Sequence, residues 1–248
     1  MNPLALTIGA ADPTGRAGMQ TDVLTFGAHK VRATCVVTAT SGPSELYALP
    51  TTAVAAQLSL ALREAPPVAV KVGMLATAEI AAAVLVRARA GDLPNLVLDP
   101  DLGARGGFHR GVIGALMRLV PMATLVTPDI DEASALVGWP IVTTADMAGA
   151  AAQLAASGAK YVVITGGRLG GDESVDAVWT SAGARFLRSP RVDVVDTRGA
   201  GTMFSAAITA RLSQGIAIGE AVTGAKEYVT RALCKARSAP ATRELVAK

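Results

Sequence analysis

The sequence predicts an α/β protein with a central, mostly parallel sheet, helices on both faces and a short antiparallel hairpin at one edge. Three observations carry this. Short β-rich runs alternate with longer Ala/Leu-rich stretches of helical character along the chain, the order that a doubly wound sheet requires. The short runs are continuously apolar, as suits parallel strands covered on both faces. Late in the chain, Ser174–Thr180 and Arg185–Pro190 are separated only by Ser181-Ala182-Gly183-Ala184, which reads as a hairpin. A length of 248 residues with 51% hydrophobic content suits one large domain over residues 1–248.

Taken in order, Leu4–Gly9 is the first expected strand, and Ala17–Ala28 the first helix. Strand Ala33–Thr38 and helix Thr51–Glu64 follow, then strand Val68–Val72 and helix Ala78–Ala90, where Thr77 stands as a natural cap. Leu96–Asp99 and Thr124–Thr127 are strands followed by helices Arg110–Leu119 and Asp131–Val137. The next helix is Ala145–Ser157, with Thr144 as its expected cap and Asp146 in the first turn, where the helix dipole favours an acid. Tyr161–Thr165 is the last parallel strand, and Met203–Ser213 and Ile216–Ala236 close the pattern before a tail expected to fray after Arg237.

Charge and composition remove several function classes. Lys and Arg number 23 against 20 Asp and Glu, they are scattered, and only 4% of residues are aromatic; a nucleic-acid surface calls for clustered basic residues and stacking rings. No segment approaches the apolar run needed to span a bilayer. Cys35 and Cys234 lie far apart without metal spacing and read as buried thiols in a reducing cytoplasm.

Open α/β sheets bind ligands beyond the carboxyl ends of their strands, and here those positions are rich in glycine and acids. They include Gly9 to Gly18, Gly73-Met74, Asp99-Pro100-Asp101 with Gly103 to Gly107, Pro128-Asp129-Ile130-Asp131-Glu132, and Gly166-Gly167-Arg168. Any one of them alone is ordinary turn chemistry, and Asp129 or Asp131 would serve equally as a helix cap. Together with the glycine turn Asp196-Thr197-Arg198-Gly199-Ala200-Gly201-Thr202, they point to a phosphate and metal site, because such a turn presents backbone N–H groups and a helix N-terminus to an anion.

These residues carry a resemblance. Asp196-Thr197-x-Gly199-Ala200-Gly201 resembles the anion-hole signature of the ribokinase-like kinases. Gly9-x-x-Asp12-Pro13-x-Gly15-x-Ala17-Gly18-Met19-Gln20-x-Asp22 is similar to the first motif of one branch, the hydroxymethylpyrimidine and hydroxymethylpyrimidine-phosphate kinases of thiamine biosynthesis. Lys71-Val72-Gly73-Met74-Leu75, Leu98-Asp99-Pro100, Thr127-Pro128-x-x-x-Glu132-Ala133 and Gly166-Gly167 follow in the order of that branch.

The resemblance implies a ribokinase-like fold, ATP and Mg²⁺ as cofactors, a small pyrimidine alcohol or its phosphate as substrate, and a homodimer. It places Gly199, Ala200 and Gly201 as N–H donors to the phosphoryl group in flight, with Thr202 at the base position. Glu132 and Asp99 would organise the metal; Gly9, Asp12 and Met74 would hold the pyrimidine; and Asp129, Thr165, Thr197 and Arg198 would border the nucleotide. Met74 reads equally as core filler.

The chain departs from that pattern where the chemistry occurs. The family has Asp or Cys after Gly-x-Gly to activate the acceptor hydroxyl, and this chain has Thr202, which is no base near neutral pH. Thr165 stands for a lysine, Asp129 for an asparagine and Asp101 for an apolar residue, with Arg105, Arg168 or Arg198 available to restore positive charge. The segment Thr38 to Glu45 lacks the family's Gln-Asn pair, leaving Glu45 as a substitute or the segment as an edge flap. Two readings therefore stand at this point: a magnesium-dependent kinase of impaired or altered activity, or a non-catalytic paralogue that binds a ligand or regulates.

Overall fold

In the computed structural model, the structure describes residues 2–41, 45–103, 110–194 and 196–238. Among them, nine strands form one sheet in the order β3-β2-β1-β4-β5-β6-β7-β8-β9. The strands are β1 Leu4–Ala11, β2 Arg32–Ser41, β3 Leu46–Ala48, β4 Ala69–Val72, β5 Leu96–Leu98, β6 Leu125–Val126, β7 Val162–Ile164, β8 Glu173–Thr180 and β9 Gly183–Pro190. Strands β2, β1, β4, β5, β6 and β7 are parallel. The late hairpin β8–β9 adds antiparallel to β7 as expected. A second antiparallel strand, β3, closes the other edge on β2.

The helices are α1 Gly18–Ala28, α2 Thr51–Glu64, α3 Ala78–Arg89, α4 Arg110–Leu119, α5 Ile130–Val137, α6 Thr144–Ala156, α7 Ala200–Ser213 and α8 Ile218–Ser238. They divide between two cores. On one face Leu6, Ile8, Val70, Val72, Leu96 and Leu98 meet α2 to α6. On the other, α7 and α8 pack on Val97, Leu125 and Val163, while α1 and α7 meet over Ala5. Strand alternation sets this division, and it turns Thr7 and Lys71, directly paired across β1 and β4, toward α1 and α7. Helix α7 has ten of its 14 residues buried, so it is a central element covered nearly all round.

Four expectations are corrected. Helix α7 begins at Ala200, not Met203, so the glycine turn runs into the helix itself. Helix α6 is capped by Thr143, whose hydroxyl accepts the Asp146 N–H in a reciprocal box, so Thr144 is the first helical residue. Strand β2 runs on to Ser41, into the segment expected as an edge flap, and the unexpected strand β3 follows that segment, because residues 46–48 can pair with the open edge of β2. Cys35 is exposed: its register pairs it with Thr7, yet it lies uncovered there while Val36, on the opposite face, is fully buried. The tail beyond Ser238, Arg105 and most of Gly103 to Gly107 lie outside the described residues.

Candidate active site

The glycine turn, the expected anion cradle, is held in place by side chains and by close packing. The Asp196 carboxylate accepts the Arg198 backbone N–H at 2.9 Å and the Arg198 guanidinium at 2.8 Å, and pairs with Arg16 of the β1–α1 loop at 3.1 Å. The Arg198 side chain first, then its backbone N–H, holds the Asp196 carboxyl at about 2. Gly199 caps α7 in the left-handed region (φ 79°), and a Cβ there would sit 1.9 Å from the Arg16 carbonyl oxygen. Only glycine permits both the dihedral and the approach. Ala200 differs from the expected role: its N–H donates to the Thr197 carbonyl at 3.1 Å. The N–H groups of Gly201 and Thr202 are the first-turn donors that helix geometry leaves over for an anion.

Beneath this cradle lies a charged network whose roles the sequence did not reveal. Lys71 Nζ is 2.5 Å from Asp22 Oδ1, 3.4 Å from Asp99 Oδ2 and 3.4 Å from the Thr202 carbonyl oxygen. Thr7 donates to Asp22 at 2.6 Å, and Ser205 of α7 donates to Asp99 at 2.7 Å. The Lys71 side chain is only 2% exposed. Burial works against its ammonium, but Asp22 and Asp99 outweigh that and hold it above its ordinary value. The signal was present in the strand sequence Ala69-Val70-Lys71-Val72, since a lysine inside a central strand must be paired.

Next to the network, acids crowd at the ends of β5 and β6. Burial first, then the charge of Asp99, raises Asp101 to about 6. Burial, followed by Asp99 and Asp129, pushes Glu132 well above the ordinary carboxylate value. Asp129 and Glu132 form a capping box at the start of α5, each accepting the other's backbone N–H, and Asp129 also pairs with Arg168 at 3.0 Å. Among the described residues no three His, Cys, Asp or Glu side chains form a ready-made metal cage. An all-oxygen acidic set of this kind fits Mg²⁺, which keeps several waters and takes one or two carboxylates together with substrate phosphates.

Of the residues expected to hold the pyrimidine, Gly9 and the Gly73-Met74 turn adjoin: a Cβ on Gly9 would lie 3.8 Å from the Met74 nitrogen. Thr38 holds the Met74 carbonyl at 2.6 Å. Met74 is half-buried and its Cε lies against Gly103. Asp12 organises its own loop, accepting from the Thr14 N–H and hydroxyl and from the Ala17 N–H. Of the residues expected to border the nucleotide, Thr165 bridges to Asp129. Gly166 follows it, donating to Asp176, which Lys226 of α8 also contacts at 2.7 Å. Gly166 approaches so closely that a Cβ would lie 1.9 Å from the Val175 carbonyl. Thr197 and Arg198 are exposed in the turn.

A mostly parallel sheet with a glycine turn opening α7, beside a buried acidic cluster at the ends of β5 and β6, is an arrangement suited to phosphoryl transfer to a small molecule. Residues 12–244 match the phosphomethylpyrimidine kinase family. The chain is 36% identical to a hydroxymethylpyrimidine/phosphomethylpyrimidine kinase of Synechococcus elongatus, covering 93% of this chain and 91% of that one. It is 35% identical to a pyridoxine kinase of Bacillus subtilis, covering 92% and 89%. Among solved structures, a Bacillus subtilis pyridoxal kinase in complex with ADP superimposes with a TM-score of 0.89 at 36% identity, over 94% of this chain and 92% of that chain. The chain belongs to the phosphomethylpyrimidine kinase family.

Proposed function

We propose that the protein transfers the γ-phosphoryl group of ATP to hydroxymethylpyrimidine or its monophosphate, with Mg²⁺, in thiamine biosynthesis. One observation carries the reading. The first turns of α7 join the glycine turn, where Gly199 packs against the Arg16 carbonyl, to the acidic cluster, where Ser205 donates to Asp99 beside Asp101 and Glu132. Donors fixed in this way stabilise charge as it develops, without reorganising. Mg²⁺ would neutralise phosphate charge there, held by Asp99 and Glu132 directly or through water. ATP as the donor is supported by the ADP bound to the related pyridoxal kinase.

A hydroxyl at Thr202 leaves the acceptor without a side-chain base, so catalysis rests on positioning and anion stabilisation and is slow. The relatives reported above are named kinases, which supports the catalytic reading over a non-catalytic paralogue. The test is ADP release by purified protein with hydroxymethylpyrimidine, its phosphate and pyridoxal. Turnover strongest with either pyrimidine supports the reading. Preference for pyridoxal moves the substrate, and silence with all three together with no ATP binding by calorimetry removes it.

We also place the protein in the cytoplasm as a homodimer. The exposed thiol of Cys35 suits a reducing compartment, and the exposed Leu46 and Tyr47 on edge strand β3 offer apolar surface to a second copy. Sedimentation velocity reads the dimer directly. Among the described residues no helix is long and apolar enough to cross a membrane.

A further inference from the structure

Arg191, just after β9, gathers the β7–β8 loop around its guanidinium. Its Nε donates to the Gly171 carbonyl at 2.7 Å and one terminal nitrogen to Gly167 at 2.7 Å. The other terminal nitrogen donates to Leu169 and, at 3.1 Å, to Glu173. Its backbone N–H reaches the Asp172 carbonyl at 2.8 Å. The carbonyls served by the side chain come from alternate residues, so the whole turn from Gly167 to Glu173 is wrapped on one fork. From the far side, Arg168 ties the same loop to Asp129 and Asp131 at the start of α5.

Two physical consequences follow. Carbonyl oxygens that would repel an anionic neighbour are turned onto a cation instead. Among the described residues every acceptor of Arg191 is a neutral carbonyl, so no carboxylate cancels its charge, whereas Arg16, Arg168, Arg188 and Arg198 each face one. The loop begins beside Thr165, the position that lacks a cation. Arg191 also lies only five residues before Asp196 in the chain.

We propose that Arg191 is a positioning residue for the nucleotide: it shapes the Gly166–Glu173 loop and supplies there the positive charge that Thr165 does not. This rests on the kinase reading above. A lysine keeps the charge but cannot serve carbonyls spread over a planar fork, and a methionine loses both. With ADP and Mg²⁺ as the calorimetric probe, Arg191→Met and Arg191→Lys weaken binding at least about tenfold, the loss of one or two charge-assisted hydrogen bonds. In steady state the KM for ATP rises while the KM for the pyrimidine stays unchanged, a split that general loosening of the fold would not give. Hydrogen exchange quickens at Gly166–Glu173 and not in β1 or β4. If wild type binds ADP and both variants bind it equally well, the proposal fails and the kinase reading stands. If wild type itself binds no ADP, both fall together.

Discussion

Lys71 Nζ lies 2.5 Å from Asp22 Oδ1, and both side chains are at most 3% exposed. The pair joins β4 to α1, and through Asp99 and the Thr202 carbonyl it reaches the first turn of α7. Removing the cation would strand two buried carboxylates. Lys71→Met is therefore expected to cost about 3–5 kcal/mol of stability, measured by urea unfolding. In the double variant Lys71→Met/Asp22→Asn the loss should be smaller than the sum of the single losses, because the partners share one interaction.

Gly199→Ala cannot keep the native turn, since φ is 79° and the new Cβ would collide with the Arg16 carbonyl. Displacing either the turn or the β1–α1 loop destabilises by more than about 1 kcal/mol. It also moves the cradle, so turnover falls further than melting temperature predicts. ADP-release kinetics beside thermal melts separate the two effects.

Thr202→Asp and Thr202→Cys restore a proton acceptor at the end of the cradle. Either should raise turnover by about 10²–10⁴-fold, the usual contribution of a positioned base, with the KM for ATP unchanged. Thr202→Val, which adds no base, should leave the wild-type rate nearly as it is.

Glu132 is pushed up by burial and by the charges of Asp99 and Asp129, a strain that a bound cation relieves. Chelation should abolish turnover and added Mg²⁺ restore it. Glu132→Gln should raise the Mg²⁺ concentration for half-maximal rate by about 10- to 100-fold, as loss of an outer-shell carboxylate does. A titration of rate against Mg²⁺ measures this.

The Asp196 carboxyl, held at about 2 by Arg198, lies below its ordinary value of 3.8 in the folded protein. Its stabilisation is therefore complete above the unfolded value and is lost as pH falls through about 2. The difference in melting temperature between wild type and Asp196→Asn should be constant from neutrality down to about pH 5. Below that it narrows.

Most of the fold was legible because its elements are long and periodic. The strands and helices appear at the expected places, and Thr77 caps α3 as read, accepting the Ile80 N–H. Strand β3 was not legible: three exposed residues, Leu46-Tyr47-Ala48, carry no pattern of their own and pair only because β2 has an open edge. The start of α7 was misplaced because Gly199-Ala200-Gly201 reads as turn, whereas only Gly199 leaves helical geometry. Within the site, the glycines and acids could be read because each follows a strand. The links between Lys71, Asp22 and Asp99 could not, since they depend on register across β1, β4 and β5 and on how α7 lies over them.

The contact between Arg16 and the Asp196–Gly199 turn joins the first loop of the chain to its last third. A nascent chain that has emerged only as far as Ile164 holds every parallel strand and can begin to collapse. It has neither the turn nor α7, so Lys71 can meet Asp22 of α1 and Asp99 but lacks the Thr202 and Ser205 contacts that α7 brings to this network. During synthesis, then, the scaffold strands come first, and the contact of the glycine turn with Arg16 forms only once residues of the last third of the chain close over a loop made much earlier.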